Sequence, residues 1–124
     1  MFASRKYIDK QREAIVGFLR GTIKGWEMNA KDPTLGAHLA VEQYGTDLGL
    51  KYDDELKKNE VQIPFTQSDL TKAKGLLWID RDYIAGPIYE GLRAAGRTTL
   101  PPVEKFVDTS LLTDAYGGKT SLLS

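Results

Sequence analysis

The feature that most constrains this chain is a long amphipathic segment over residues 6–31, in which apolar residues recur at three- and four-residue steps. A helix has 3.6 residues per turn, so this spacing places them on one face. The charged residues fall largely off that face. The pattern predicts a single helix of about 25 residues, whose apolar stripe needs cover from another element. The stripe comprises Ile8, Ile15, Leu19, Ile23, Trp26 and Ala30, with Arg12 as its one polar member.

A second line of residues on the same segment consists of Gly17, Gly21 and Gly25. Each glycine in a helix interior costs roughly 1 kcal/mol relative to alanine, so three on one line indicate a flat strip where another backbone approaches closely. A membrane dimerisation motif is one interpretation, but the basic residues between the glycines argue against it. Close packing within a soluble protein is favoured. The predicted helix-packing residues are therefore Gly17, Gly21, Gly25 and Trp26.

Helix-start signals recur along the rest of the chain. Asp32 followed by Pro33 predicts a second helix that ends near Gly45 or Gly49. Asp53 is the predicted cap of a third helix, which runs to about residue 63 and is stopped by the proline at position 64.

Later segments give mixed signals. Residues 66–75 are interpreted as irregular. Asp80 is the predicted cap of a fourth helix, which runs to Ala95 and in which Pro87 predicts a kink or a late start. Residues 103–116 are expected to hold one or two short helical turns. No segment shows the alternation typical of a strand. The predicted fold class is therefore mostly α, with a single helical domain over residues 1–116 and a flexible tail over residues 117–124.

Length and composition exclude several classes of function. At 124 residues the chain is at most one domain. Its formal net charge is zero, with 17 basic and 17 acidic residues, whereas nucleic-acid binding needs a concentrated basic surface. There is no cysteine, so disulfides, thiolate metal sites and cysteine nucleophiles are excluded. Residues 1–11 lack the apolar core of a signal peptide, and no apolar run approaches the ~20 residues of a membrane span.

No catalytic constellation is apparent. A serine triad would need His38, the only histidine, as its base, and no nucleophile elbow accompanies it. His38 is interpreted as a surface or partly packed residue. Residues 118–120 match the end of a phosphate-binding loop without its upstream glycine. Trp26 and Trp78 lie in apolar patterns, which favours packing over ligand stacking. The chain is expected to be no enzyme and to hold neither cofactor nor metal.

Five stretches carry a resemblance to a known family: residues 2–4 (FAS), 18–27 (FLRGTIKGWE), 32–45 (DPTLGAHLAVEQYG), 75–96 (GLLWIDRDYIAGPIYEGLRAAG) and 102–112 (PVEKFVDTSLL). In order along the chain, they are similar to the C-terminal region of substrate-binding proteins of ABC importers, of the nitrate/sulfonate/taurine and thiamine-precursor (pyrimidine) type. The motifs in order are more specific than any one of them, and together they span nearly the whole chain.

This resemblance implies a fold and a role. Family members are two-lobed α/β proteins (the type II periplasmic-binding-protein fold) that carry a small organic or anionic solute and dock on an ABC permease. Their ligand lies between the lobes, and most contacts precede the region that this chain resembles. The chain is thus expected to contribute helices and little of the pocket. Trp78 is the one ligand-contact candidate, and a structural role for it is favoured. The pyrimidine-forming relatives use a cysteine-rich motif that this chain lacks.

Two interpretations remain open at the level of sequence. In the first, the chain is the C-terminal part of a solute-binding protein whose parent family is extracytoplasmic, in the periplasm or as a cell-surface lipoprotein. In the second, it is a stand-alone helical module for protein interaction or self-association. Either way, the apolar helix faces need a partner, which is a missing lobe or a second copy in a homo-oligomer. No nucleic-acid partner is expected.

Overall fold

The computed structural model describes residues 2–123, so Met1 and Ser124, the outer ends of the predicted domain and tail, lie outside the described residues. Within that range the chain is mostly helical and contains no strand, which confirms the predicted fold class. The α-helices in chain order are α1 (Arg5–Lys10), α2 (Arg12–Lys31), α3 (Pro33–His38), α4 (Tyr52–Phe65), α5 (Asp69–Lys74), α6 (Arg81–Tyr83), α7 (Tyr89–Ala94) and α8 (Ser110–Tyr116). Two π-helical segments, Leu39–Tyr44 and Ile84–Ile88, and a 3₁₀ turn, Val103–Lys105, lie between them.

The predicted first helix is divided in two. Gln11, with φ −131° and ψ 34°, leaves the helical region and separates α1 from α2. The break lies beside Arg12, the polar member of the stripe, whose guanidinium binds Asp114 and Ser110 of α8. The prediction of one uninterrupted helix is therefore wrong, although the apolar stripe is continuous across the break. Ser4 caps α1 by accepting the Tyr7 amide at 3.2 Å.

The main core lies between α2 and α8. Both helices are amphipathic, and their apolar faces form one buried cluster that also includes Ile8 of α1. Ile23 is the most deeply buried large side chain, with none of its surface exposed. Trp78 and Leu122 pack against the cluster from outside. The α2 and α8 members of the cluster are Ile15, Val16, Leu19, Ile23, Leu111, Leu112, Ala115 and Tyr116.

Three arginines fix the direction of the C-terminal segment along this core. Arg5 pairs with Asp108 at 3.0 Å and Arg12 pairs with Asp114 at 2.7 Å. Arg20 donates to the carbonyl oxygens of Asp114 at 2.8 Å and of Ala115 at 3.0 Å. These carbonyls belong to the last turn of α8, where backbone oxygens lack helical partners and cations are favourable. Successive arginines along the N-terminal helices contact successive residues of the C-terminal segment, so α8 runs parallel to α2.

The described part of the tail continues along α2. The Leu122 amide donates to Glu27 Oε2 at 2.8 Å, and the Ser121 hydroxyl reaches the same oxygen at 3.2 Å. Leu122 also packs on the main core. The tail therefore contacts the domain, and its flexibility remains a prediction.

Several helix boundaries differ from the sequence predictions. Helix α4 begins at Tyr52, so Asp53 lies in its first turn and is not its cap. Pro64 lies inside the last turn and does not stop the helix, because a proline near the C-terminus costs one hydrogen bond without breaking earlier turns. Helix α5, expected to be irregular, forms because Ser68 and Thr71 make a capping box.

Other predicted signals hold. Asp32 accepts the Thr34 amide at 3.1 Å, and Asp80 accepts the Tyr83 amide at 2.9 Å, so both predicted caps are confirmed. Around Pro87 the helix widens into the π-helical segment, because proline has no amide hydrogen to donate to the preceding turn. A smaller core, formed by Tyr89, Val103 and Val107, closes this end.

A glycine locks the loop before α6 onto the main core. Gly75 has φ +106°, which side-chain-bearing residues avoid, and a side-chain carbon at this position would collide with the ring of Tyr116. The Tyr116 hydroxyl donates to the Leu76 carbonyl at 3.0 Å. Residues 75–79 thus lie over the end of α8.

The chain exposes more surface than its mass predicts. Its accessible area is 8800 Å². A compact monomer of 13.8 kDa has about 6,600 Å², so the excess is about 2,200 Å². Exposed large apolar side chains contribute to it, among them Phe18, Val61 and Phe65. The helices therefore leave apolar faces without cover from the described chain.

We predict that Gly75→Ala lowers the free energy of unfolding by about 3 kcal/mol, because the methyl group strains the backbone and strikes the Tyr116 ring. Urea unfolding followed by circular dichroism measures the change. Gly91→Ala is the matched control, because an added methyl at Gly91 in α7 meets no described atom within 4 Å. Equal stability of the two variants would show that Gly75 is under no such constraint.

Alkaline pH should weaken the same contact. Burial, with a smaller effect of the Glu27 carboxylate, raises the pKa of Tyr116 to about 12 from an ordinary value of 10.0. Deprotonation is thus harder in the folded chain, so this contribution to stability is complete below pH 10 and is lost as pH rises towards about 12. Unfolding curves across this range measure it. Tyr116→Phe should be less stable at neutral pH and show a shallower alkaline loss; an unchanged slope contradicts the assignment.

Candidate functional site

A groove lies between α2, α3 and α4 and is here called the α2–α4 groove. Its volume is about 810 Å³, and it opens to solvent along its length. Helix α2 supplies the floor, while α3 and α4 form the opposite wall. The lining residues are Phe18, Gly21, Thr22, Gly25, Trp26, Met28, Asn29, Leu35, Gly36, Ala37, Leu39, Ala40, Glu55, Lys58, Asn59 and Gln62.

The floor contains part of the predicted glycine strip. A methyl group built on Gly17, Gly21 or Gly25 meets no atom of residues 2–123 within 4 Å. The close packing that the spacing predicts is therefore not made within this chain. Contact of the strip with a partner remains a prediction. The strip is instead an open, flat surface, and Gly21 and Gly25 belong to the groove.

Large apolar side chains flank this flat floor. Phe18 is 63% exposed and Met28 is 42% exposed. Trp26, predicted as a helix-packing residue, is partly buried and lines the groove. Apolar rings held in water at the edge of a concavity are typical of surfaces that bind a partner.

One side of the groove is closed by a pair of asparagines. Asn29 and Asn59 exchange two hydrogen bonds of 2.7 Å, and Asn59 Nδ2 also donates to the Pro33 carbonyl at 2.7 Å. Gly36 lies against this pair, and a side-chain carbon there would collide with Asn29 Oδ1. The amides thus tie α2, α3 and α4 together, and the two donations of Asn59 Nδ2 are both made within the chain.

The rim is charged at one place on α4. Glu55 pairs with Lys58 at 2.5 Å, and this hydrogen bond, together with the carboxylate charge, raises the pKa of Lys58 above its ordinary value. The lysine therefore stays protonated at neutral pH. Since the pair neutralises itself, the rim offers a small solute little net charge.

This groove can bind an apolar surface, but it offers few groups that would bind an ion. Small-molecule sites of ≈300–1,000 Å³ usually combine apolar walls with converging polar groups, and here the converging amides bind each other. No cluster of three potential metal-ligating side chains occurs among residues 2–123. The groove therefore suits an apolar protein surface.

The other candidate residues lie outside the groove. Trp78 is partly buried against the main core, with Lys74 Nζ 5.4 Å from its ring centroid. His38 is exposed on the surface, where its Nδ1 lies 2.8 Å from Glu42 Oε1 and its ring is 4.6 Å from that of Tyr52. Neither ring shares a concave site with another predicted functional residue.

The pairing of Asn29 with Asn59, which closes one side of the groove, is not among the sequence predictions. The two residues lie 30 positions apart and follow no recognisable motif. Only the crossing of α2 and α4 brings their amides together.

None of the helices in the described range combines the length and the apolar character that a bilayer crossing requires. Comparisons of the chain with protein-family models, curated proteins and solved structures give no significant match.

We predict that Gly36→Ala lowers the free energy of unfolding by about 1–3 kcal/mol, because the methyl group displaces the asparagine pair. Gly17→Ala is the control and should raise stability by up to about 1 kcal/mol, since it replaces a helical glycine that has open space around it. Chemical denaturation measures both. Stabilisation by Gly36→Ala would show that α3 does not depend on the asparagine contact.

Proposed function

We propose that this chain is the C-terminal helical segment of a substrate-binding protein of the ABC-importer type, which carries a small organic or anionic solute. The proposal rests on one coincidence: the stretch of strongest resemblance, residues 18–45, also supplies most of the uncovered apolar groove. A segment that evolved to cover another part of a larger protein would leave such a face open when alone.

In this proposal the helices have a scaffold role. The flat glycine floor and the flanking rings of Phe18 and Trp26 pack on the remainder of a two-lobed α/β fold, where a close backbone approach needs small residues. The solute lies between the lobes and takes most of its contacts from preceding segments. Trp78 acts in packing, in keeping with its place beside the main core.

The proposal assigns the chain to transport and not to catalysis. Its partners are the rest of the binding protein and, through it, an ABC permease. The parent protein would be extracytoplasmic, as the family is. Neither cofactor, metal nor nucleic acid is part of the proposed function.

A second candidate is a stand-alone helical module for protein interaction or self-association. The observation that favours it is the groove itself, in which an apolar floor and exposed apolar side chains lie beside a charged pair, Glu55 and Lys58, as in many protein interfaces.

The coding sequence contiguous with this chain distinguishes the two candidates. An in-frame α/β lobe with an export signal supports the transport proposal, whereas its absence leaves the interaction module.

Ligand binding gives a further prediction. Because the pocket lies mainly in preceding segments, a panel of sulfonates, nitrate and pyrimidines should leave the melting temperature of the isolated chain unchanged. A ligand at 100 times its dissociation constant would add about 2.7 kcal/mol of stability, so a thermal-shift assay detects binding readily. A clear rise with any member of the panel contradicts the scaffold role and locates a pocket in this chain.

A further inference from the structure

We propose that the isolated chain forms a two-fold symmetric dimer in which α2 packs antiparallel against the partner's α2. Each copy inserts Phe18 into the α2–α4 groove of the other, over Gly25. The dimer is a property of this chain by itself and does not depend on the transport function proposed above.

The first argument is the area left uncovered. The excess of about 2,200 Å² per chain would amount to about 4,400 Å² in a pair. Stable dimers bury at least about 1,200–2,000 Å² in total, and obligate homodimers bury 2,000–5,000 Å². A second copy therefore has enough uncovered surface on both sides to make a stable interface.

The second argument is the match between a projecting ring and an open floor on one helix face. Phe18 is 63% exposed, while a side-chain carbon built on Gly25 meets no described atom within 4 Å. A phenylalanine ring buries 150–250 Å² when it is covered, and the groove of about 810 Å³ has room for it beside the walls of α3 and α4.

The third argument is the spacing of these two residues. Phe18 and Gly25 are seven residues apart in α2, which is nearly two full turns, so both point to the same face. A two-fold axis that passes midway between them, beside Gly21 and Thr22, superposes Phe18 of one copy on Gly25 of the other. The contact then forms twice, as a two-fold interface requires.

Charge does not oppose this pairing. The chain has a formal net charge of zero, so two copies do not repel each other overall. An antiparallel arrangement also opposes the two helix dipoles, so the positive end of each α2 lies beside the negative end of the other.

Cysteine cross-linking tests the geometry directly, because the chain has no cysteine of its own. In the variant Gly21→Cys, which leaves Phe18 and Gly25 in place, the two copies of position 21 face each other beside the two-fold axis, and oxidation should give a covalent dimer on a non-reducing gel. Gly17→Cys is the matched control, because Gly17 also has open space around it. In the proposed pairing the two copies of position 17 are about 13 Å apart along the helices, beyond the ~7 Å that a disulfide tolerates between α-carbons, so this variant should give little cross-linking. Absence of covalent dimer from Gly21→Cys overturns the proposed pairing.

The mass of the unmodified chain is the second readout. Light scattering or sedimentation should give twice 13.8 kDa. Gly25→Gln should raise the dimer dissociation constant roughly thirtyfold or more, because its side chain occupies the space for the ring. Gly91→Gln is the control; Gly91 also lies in a helix with open space around it, and its dissociation constant should not change.

The outcomes are separable from those of the transport proposal. A well-folded monomer, or a dimer that Gly25→Gln leaves intact, overturns this inference and leaves the transport role standing. A far-ultraviolet circular dichroism spectrum of Gly25→Gln that matches that of the unmodified chain shows that any loss of dimer comes from the interface and not from misfolding.

Discussion

The packing of α8 along α2 is the contact on which the rest of the structure depends. It joins residues about 95 positions apart, since Arg20 binds the carbonyls of Asp114 and Ala115. Around it, the apolar faces of both helices form the main core, and Ile23 at its centre is fully buried. The arginine contacts are exposed at several points and each contributes little energy. Their consistent order nevertheless fixes the parallel direction of α8, while apolar burial supplies most of the stabilisation.

Other elements are attached to this pair by a few well-defined contacts. Tyr116 joins the loop after α5 to the core through Gly75 and the Leu76 carbonyl. Glu27 holds the described part of the tail. At the crossing of α2, α3 and α4, Asn29 and Asn59 exchange hydrogen bonds, and Ala37 is the one fully buried apolar residue that α3 and α4 contribute. For this reason the chain has one substantial core and a neighbouring groove that its own residues do not fill.

The α2–α4 groove is the feature on which both proposals depend. Its floor is built largely by residues 18–27, which are also one of the stretches that carry the proposed resemblance. The outward face of this stretch is not covered by other residues of the described chain. An uncovered apolar face with self-satisfied amides suits a macromolecular surface more than a charged solute. The transport role and the dimer both assign a protein surface to this groove, and they differ in which surface occupies it.

Much of the local structure is predictable from the residues. The Asp32 and Asp80 caps and the disturbance at Pro87 follow from backbone chemistry that acts within a few residues. The capping box at Ser68 and Thr71 was equally local, and was missed because the surrounding turn-forming residues favoured an irregular segment. The break at Gln11 was not predictable in this way, because it accompanies contacts of Arg12 with α8.

The sequence by itself determined the helical class, the positions of most helices and the apolar stripe of α2, since these depend on periodicity and capping. Only the tertiary structure decided which stripe meets which, and that Gly17, Gly21 and Gly25 face open space instead of a neighbour within the chain. The reason is that helix periodicity specifies a face but not its partner. The partner is chosen by contacts between residues far apart in sequence, such as Arg20 with Ala115 and Asn29 with Asn59.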